Sequence, residues 1–462
     1  MIDNEQLHPP ELAALLTAHP NTRYIDALLT DLCGIVRGKR LPIALAGKLF
    51  NGGMAAPGSV FLLAVTGDSQ DPMGMGFSDG DPDQLGFAVP GTVQPVPWAT
   101  QPTAQAMLTF RDVDGTPFYY EPRNVLKRVL QRFADLELTP VVAFELEFYL
   151  LDTERDASGL PQPPAAPATG LRPASTQVYG LNELDEFADF LAAVDTACEQ
   201  QHITCQAGSS ELAPGQFEIN LNHRPDALGA ADDCALFKRA VQGVARRHGY
   251  GATFMAKPFT DHSGSGMHAH ISLLNSQGDN VFDGGGASGS DASISTTLRQ
   301  AIGGLMDIMF DGMGLWAPNV NAYRRFRPMS YVPVTPSWGF ENRSVAARIP
   351  VGEGNARRME FRVAGADANP YLVLASVLAG IHYGITEGRD CGAAATGNAG
   401  AEAHPELPMQ LRPALERLRT SRILNDYLGA TYLEAYCACK TRELDAFEQH
   451  ISPREYDWYL LT

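Results

Sequence analysis

Glu145 and Glu147 stand two residues apart in residues 141–150, a run whose other members are almost all apolar. Strand alternation sends Phe144, Leu146, Phe148 and Leu150 to one face and Glu145, Glu147 and Tyr149 to the other. Flanks this apolar predict an interior strand. Two carboxylates sharing one face of such a strand repel each other and lose hydration. A proton or a hard cation relieves both costs. The competing interpretation is an amphipathic strand with a solvated acidic face.

Three later segments repeat the pattern. In residues 216–222, Phe217, Ile219 and Leu221 alternate with Gln216, Glu218, Asn220 and Asn222, and Glu211 lies just upstream across Pro214-Gly215. In residues 266–273, Met267, Ala269, Ile271 and Leu273 alternate with His268, His270 and Ser272, after a Ser263-Gly264-Ser265-Gly266 lead whose backbone can approach a ligand closely. In residues 358–363, Met359, Phe361 and Val363 alternate with Arg358, Glu360 and Arg362. A wet sheet face with salt bridges usually mixes Thr, Ser, Lys and Glu, and lysine is missing from all four faces. Carboxylates with one or two histidines suit Mg²⁺ or Mn²⁺ better than a structural zinc. Arginines beside such a site point to a phosphate substrate, because the guanidinium fork matches phosphate oxygens.

The elements that must position these faces follow from the rest of the chain. At 462 residues it exceeds the usual limit of a single core. We place a boundary before Pro122, giving residues 1–120 and 121–462. In the first part, a helix is predicted over residues 11–20, strands over 24–29, 61–66 and 105–111, a turn and return strand over 31–40, and loop over 67–86. In the second, helices are predicted from Glu121, over 183–201, 236–247 and 371–383, and through the tail from Leu411. Residues 152–175 read as a Pro/Ala-rich surface excursion and 284–290 as a glycine-rich tip.

A formal net charge of −18 argues against a nucleic-acid partner. It favours cations, including amines and divalent metals. No apolar run would span a bilayer, and the first residues lack a signal-peptide pattern, so a cytoplasmic location is expected. The seven cysteines have no framework spacing and read as reduced thiols, with Cys437 and Cys439 facing apart on a helix.

At these residues the chain resembles the glutamine synthetase family. The matching segments are Phe144-Glu145-Leu146-Glu147, Glu211 through Glu218, Gly264 through His270, Asn321-Ala322-Tyr323-Arg324-Arg325, Asn342-Arg343-Ser344 and Arg358 through Arg362, in family order. Asp31 to Pro42 matches the first domain of that family more loosely. The resemblance implies an α+β fold, with an N-terminal β-grasp domain and a catalytic domain built on a curved antiparallel sheet. It also implies a homo-oligomer, a dodecamer of two hexameric rings whose active sites are each completed by the neighbour's first domain. By the same resemblance, Glu147, Glu211 and Glu218 would hold one metal, and Glu145, His268 and Glu360 a second. Gly264, Arg325 and Arg362 would bind L-glutamate, and Arg343 would stabilise the transferring phosphoryl group of ATP. His270, Ser272, Trp338, Arg348 and Arg358 would line the nucleotide site.

Two positions depart from ammonia-using members. The flap between Arg325 and Asn342 carries Tyr331 where those enzymes have a glutamate, and Asn51 stands nearest to the aspartate of their first-domain turn. Both changes remove anionic contacts to a small cation. The pattern is similar to the γ-glutamylpolyamine synthetases of bacterial polyamine catabolism, which implies putrescine, spermidine or a related amine as substrate. An ordinary ammonia-using synthetase and a catalytically silent relative are the alternatives, the second opposed by the intact metal set.

Overall fold

The computed structural model describes residues 9–175 and 177–462. Two sheets divide the chain. The first contains β1 (Tyr24–Thr30), β2 (Val36–Pro42), β3 (Met54–Pro57), β4 (Asp83–Ala88), β5 (Gln94–Pro95) and β6 (Thr103–Arg111). Its order is β2-β1-β6-β4-β3, with β5 also on β6, and β1 runs parallel to β6 while the other pairs are antiparallel. A separate small core of Leu12, Ile25, Leu29, Phe61 and Phe110 fills it.

The second sheet contains β7 (Thr139–Leu151), β8 (Cys205–Ser210), β9 (Gln216–Leu221), β10 (Gly251–Thr253), β11 (Met267–Leu274), β12 (Trp338–Phe340), β13 (Ala347–Ile349) and β14 (Met359–Phe361). Its order is β12-β13-β14-β11-β7-β9-β8, with β10 also on β7. The sheet curls as a half-barrel. Every pair is antiparallel except the terminal β12–β13, which is parallel.

Phe144, Leu146, Phe148 and Leu150 are fully buried, as the alternation predicts. Phe148 is the hub, with ring centroids of Phe254 and Phe217 at 5.6 and 6.1 Å. Helices cover this face. Pro122–Asp135 opens with proline in its first turn, where no amide donor is needed. Ala227–Arg247 is capped by the Asp226 carboxylate, which accepts from the Gly229 amide. Pro370–Glu387 is capped by Asn369, and it closes at Gly388, whose φ of 63° favours glycine. The Asn369 amide also donates to the Asp31 carbonyl at 2.8 Å, so this cap ties the helix Pro370–Glu387 to the turn that follows β1.

Four expectations need correction. Residues 61–66 do not form a strand: Gly58–Leu62 is a 3₁₀ turn, because Phe61 enters the small core while its neighbour Leu62 enters the large one. The loop expected to Gly86 already contains β4 from Asp83. The helix expected over 183–201 is two, Leu181–Glu186 and Ala188–Gln200, broken where Phe187 turns inward at φ −106° and ψ 19° to join the core. The helix expected over 236–247 starts earlier, at Ala227. All seven cysteines are free. Cys437 and Cys439 do face apart, donating to the Leu415 and Leu62 carbonyls respectively. No helix among the described residues is long and apolar enough to cross a membrane.

Candidate active site

Strand register assembles the polar face. Glu145 on β7 lies directly opposite His268 on β11, and Glu147 lies opposite Glu218 on β9. His270 lies opposite Glu360 on β14, and Arg348 on β13 flanks Glu360 from the other side. Carboxylates and histidines that are far apart in the chain therefore become cross-strand neighbours, about 5 Å apart at Cβ.

One half of the face converges tightly. Ligand atoms of Glu145, His268 and Glu360 lie within 4.8 Å of one another. His268 Nδ1 is 3.3 Å from a Glu145 oxygen and 3.5 Å from a Glu360 oxygen, and His270 Nε2 is 2.8 Å from the other Glu145 oxygen. Arg348 donates to Glu360 at 2.8 Å, and Arg362 pairs with its second oxygen. Burial raises the pKa of Glu145, but hydrogen bonds from His268 and His270 outweigh it and hold the carboxyl well below its ordinary range. Burial acts the same way on Glu360, and Arg362, His268 and His270 bring it down to about 2. Two carboxylates and one imidazole, with oxygens predominating, match a divalent hard cation.

The other half is acidic without such partners. Burial first, then the charges of Glu145 and Glu147, push Glu218 up to about 9. Burial and the Glu147 charge push Glu211 up to about 7, against small help from Ser209 and Arg343. Glu147 accepts from the Gly266 amide at 2.7 Å. Three crowded carboxylates of this kind are a donor set that a cation would relieve.

The segment before β11 brings backbone to the site. A Cβ on Gly264 would lie 2.6 Å from both the Ala256 carbonyl oxygen and Arg325 Cγ, so only glycine fits. Arg325 is buried, donates one Nη to the Val363 carbonyl at 3.1 Å, and has its Nε unpartnered. Tyr149, on the polar face, donates to the Ser263 carbonyl at 2.7 Å, and Gln216 donates to the Gly264 carbonyl at 3.0 Å. These two anchors were visible on polar strand faces, but without a role.

Arg358 donates to His270 Nδ1 at 3.1 Å, and Ser272 is buried further along β11. Arg343 is exposed, yet close enough for its charge to act on Glu211. Trp338 is 2% exposed and donates its indole N–H to the Cys391 carbonyl, so it forms part of the wall rather than an open stacking surface. Tyr331 stands 64% exposed on the flap. Asn51 is exposed at the end of the short helix Lys48–Asn51, and among the described residues no hydrogen bond joins it to the polar face. One residue was not anticipated. Glu341, at φ 48°, pairs with Arg348 at 3.2 Å and so extends the ionic chain from Glu360 to the rim.

Residues 119–459 match the family model described as glutamine synthetase, catalytic domain. The chain belongs to the glutamine synthetase family. It is 44% identical over 450 residues to the γ-glutamylputrescine synthetase PuuA of Escherichia coli K12, covering 97% of this chain and 94% of that one. It is 31% identical to a glutamate–isopropylamine ligase of a Pseudomonas species, with 83% of each chain covered. A solved structure of ligand-free GmaS superposes with a TM-score of 0.82 at 28% identity, covering 98% of this chain and 99% of that one.

Proposed function

We propose that the protein is an ATP-dependent glutamate–amine ligase that joins the γ-carboxylate of L-glutamate to a polyamine in polyamine catabolism. The observation that carries this is the extent of likeness to the putrescine enzyme, 44% over nearly the whole chain. The isopropylamine ligase supports an alkyl amine in place of ammonia.

The chemistry follows from the donors on the sheet. A carboxylate is a poor electrophile towards an amine. Transfer of the ATP γ-phosphoryl group to the glutamate side chain gives an acyl phosphate; the amine then forms the C–N bond and inorganic phosphate leaves. Arg325, Arg362 and the Gly264 backbone hold glutamate, and Arg343 neutralises charge on the phosphoryl oxygens. His270, Ser272, Arg348 and Arg358 line the nucleotide, with Trp338 behind them. Glu145, His268 and Glu360 would hold one Mg²⁺ or Mn²⁺, and Glu147, Glu211 and Glu218 the other. When bound, these ions offset the negative charge of the phosphates. Tyr331, and Asn51 from a neighbouring subunit, border the amine entrance. The working form is a cytoplasmic dodecamer of two hexameric rings.

Hydroxylamine in place of the amine tests the acyl phosphate. The expected products are γ-glutamyl hydroxamate, ADP and phosphate in equal amounts. AMP and pyrophosphate would mean adenylyl activation, and the phosphoryl-transfer assignment would fall.

A further inference from the structure

The turn after β12 has a backbone conformation that its residue does not favour. Glu341 sits at φ 48°, in the left-handed region where glycine, asparagine and aspartate are the usual occupants. Its surroundings hold it there. The Glu341 amide donates to the Ile349 carbonyl, on β13, at 3.1 Å. The next residue is tied on both sides: Asn342 accepts from the Ser344 amide at 2.9 Å and donates to the Gly397 carbonyl at 2.9 Å. Glu341, Asn342 and Arg343 line one pocket of about 620 Å³. A backbone cost of this kind persists only where the structure fixes it, and such residues cluster at functional sites.

The side chain shows what the turn delivers. Glu341 accepts from one Nη of Arg348 at 3.2 Å, while the other Nη donates to Glu360 at 2.8 Å. Arg348 Nε is buried and has no partner among the described residues. The guanidinium is therefore gripped at its two ends. The grips differ in kind. The Glu360 side chain is 1% exposed and also pairs with Arg362, whereas that of Glu341 is 44% exposed at the rim. An ion pair this open adds little stability. It does fix the direction of a planar fork whose inner end touches a proposed metal ligand. Glycine would form the same turn without strain, but it could not reach Arg348.

We propose that Glu341 is a positioning residue that holds the Arg348 guanidinium in place for the phosphates of ATP, which rests on the assignment of Arg348 to the nucleotide site. Glu341 acts through Arg348 and does not touch the reacting atoms. Without it, Arg348 keeps Glu360 but its outer end is free to turn, and nucleotide binding must then order it.

The test compares the full-length enzyme with Glu341→Gly, Glu341→Ala and Glu341→Gln. Calorimetry with Mn²⁺ and a non-hydrolysable ATP analogue reads nucleotide binding, hydroxamate formation reads KM and kcat, and thermal melting reads the fold. Glu341→Gly and Glu341→Ala should bind the analogue about tenfold more weakly. The KM for ATP should rise by a similar factor, with kcat less affected and the KM for L-glutamate unchanged. Glu341→Gln keeps an acceptor without the charge and should fall between them and the wild type. Glu341→Gly relieves the backbone and should melt no lower than the wild type. Analogue affinity unchanged in the Gly and Ala variants would overturn the proposal, as would tighter binding, which would make Glu341 a competitor of phosphate for Arg348. Weaker binding only in variants with a lowered melting temperature would mean a structural role and would overturn it too. If the wild type binds no analogue, the nucleotide site itself is misassigned and the proposal falls with it.

Discussion

The two halves of the polar sheet face solve the same problem in opposite ways. Glu145 and Glu360 are as buried as their neighbours, yet the imidazoles of His268 and His270 and the guanidinium groups of Arg348 and Arg362 surround them. Their carboxyls stay ionised, and the half holds its shape without any ligand. Glu211 and Glu218 are raised to about 7 and about 9, because burial and neighbouring carboxylates outweigh the few positive contacts. That half awaits a charge from outside. One sheet thus carries a pre-formed, internally balanced group beside a group whose ionisation would be coupled to binding of the proposed second cation.

The largest effect should come from breaking the balanced half. Glu360→Ala removes a proposed metal ligand and strands Arg362 and Arg348 in a buried setting. Activity should fall by about 10²–10³ or more, and stability by about 3–5 kcal/mol, the usual cost of breaking a buried pair. Turnover assays with Mg²⁺ and urea titration check both. Near-normal turnover would remove Glu360 from the site.

Glu218→Gln should have the opposite sign on stability. At pH 8 the unfolded Glu218 is ionised and must take up a proton to fold, a cost that the neutral amide does not carry, so the metal-free protein should gain stability at pH 8 while Mn²⁺ affinity falls about tenfold or more. Metal-free melting curves and a metal titration separate the two effects. A loss of metal-free stability would mean that Glu218 is balanced by a partner.

Metal-free protein should also lose stability as pH rises. An unfolded glutamate ionises near 4.5, while folded Glu211 and Glu218 keep their protons to about 7 and about 9. The native state therefore binds more protons across that window, and the contribution of these groups falls from pH 4.5 towards 9. Lowered Glu360 contributes in the reverse sense, losing its stabilising effect as pH drops towards 2. Adding Mn²⁺ should abolish the alkaline loss. Melting temperatures from pH 5 to 9, with and without the ion, provide the measurement; the same slope in both series would contradict the contrast between the halves.

The smallest change is Tyr149→Phe. It removes one hydrogen bond to the Ser263 carbonyl and should cost about 1 kcal/mol. Because that carbonyl adjoins Gly264, the KM for glutamate should rise more than kcat falls. A pure stability loss with unchanged KM would detach Tyr149 from the substrate loop.

The four chemistry-bearing strands were legible because alternation is local and their apolar partners are large. Which carboxylate faces which histidine was not, since the Glu145–His268 and Glu147–Glu218 pairings join strands more than 60 residues apart in the chain. The failures share a cause. Phe61 and Leu62 are adjacent but serve two cores, and Phe187 breaks a helix to fill one; both depend on packing that no local period reveals. Trp338 is a nucleotide neighbour only by the family resemblance, and nothing in the sequence signals that its indole N–H donates to the Cys391 carbonyl. Glu341 gave no signal because an acid after a short strand resembles any exposed loop residue.

The assignment of the amine is the centre of the account. In the proposed amine site, Tyr331 and Asn51 stand where the resemblance puts the carboxylates that repay the desolvation of ammonium in ammonia-using members. An alkyl amine gains about 0.8 kcal/mol for each buried methylene instead. The decisive measurement is kcat/KM for ammonium, putrescine, spermidine, spermine and ethanolamine under one set of conditions, with ATP and L-glutamate saturating. A polyamine should exceed ammonium by about 10² or more, the worth of four methylenes. If ammonium is the best of the five, the protein is an ordinary glutamine synthetase and the polyamine assignment is wrong.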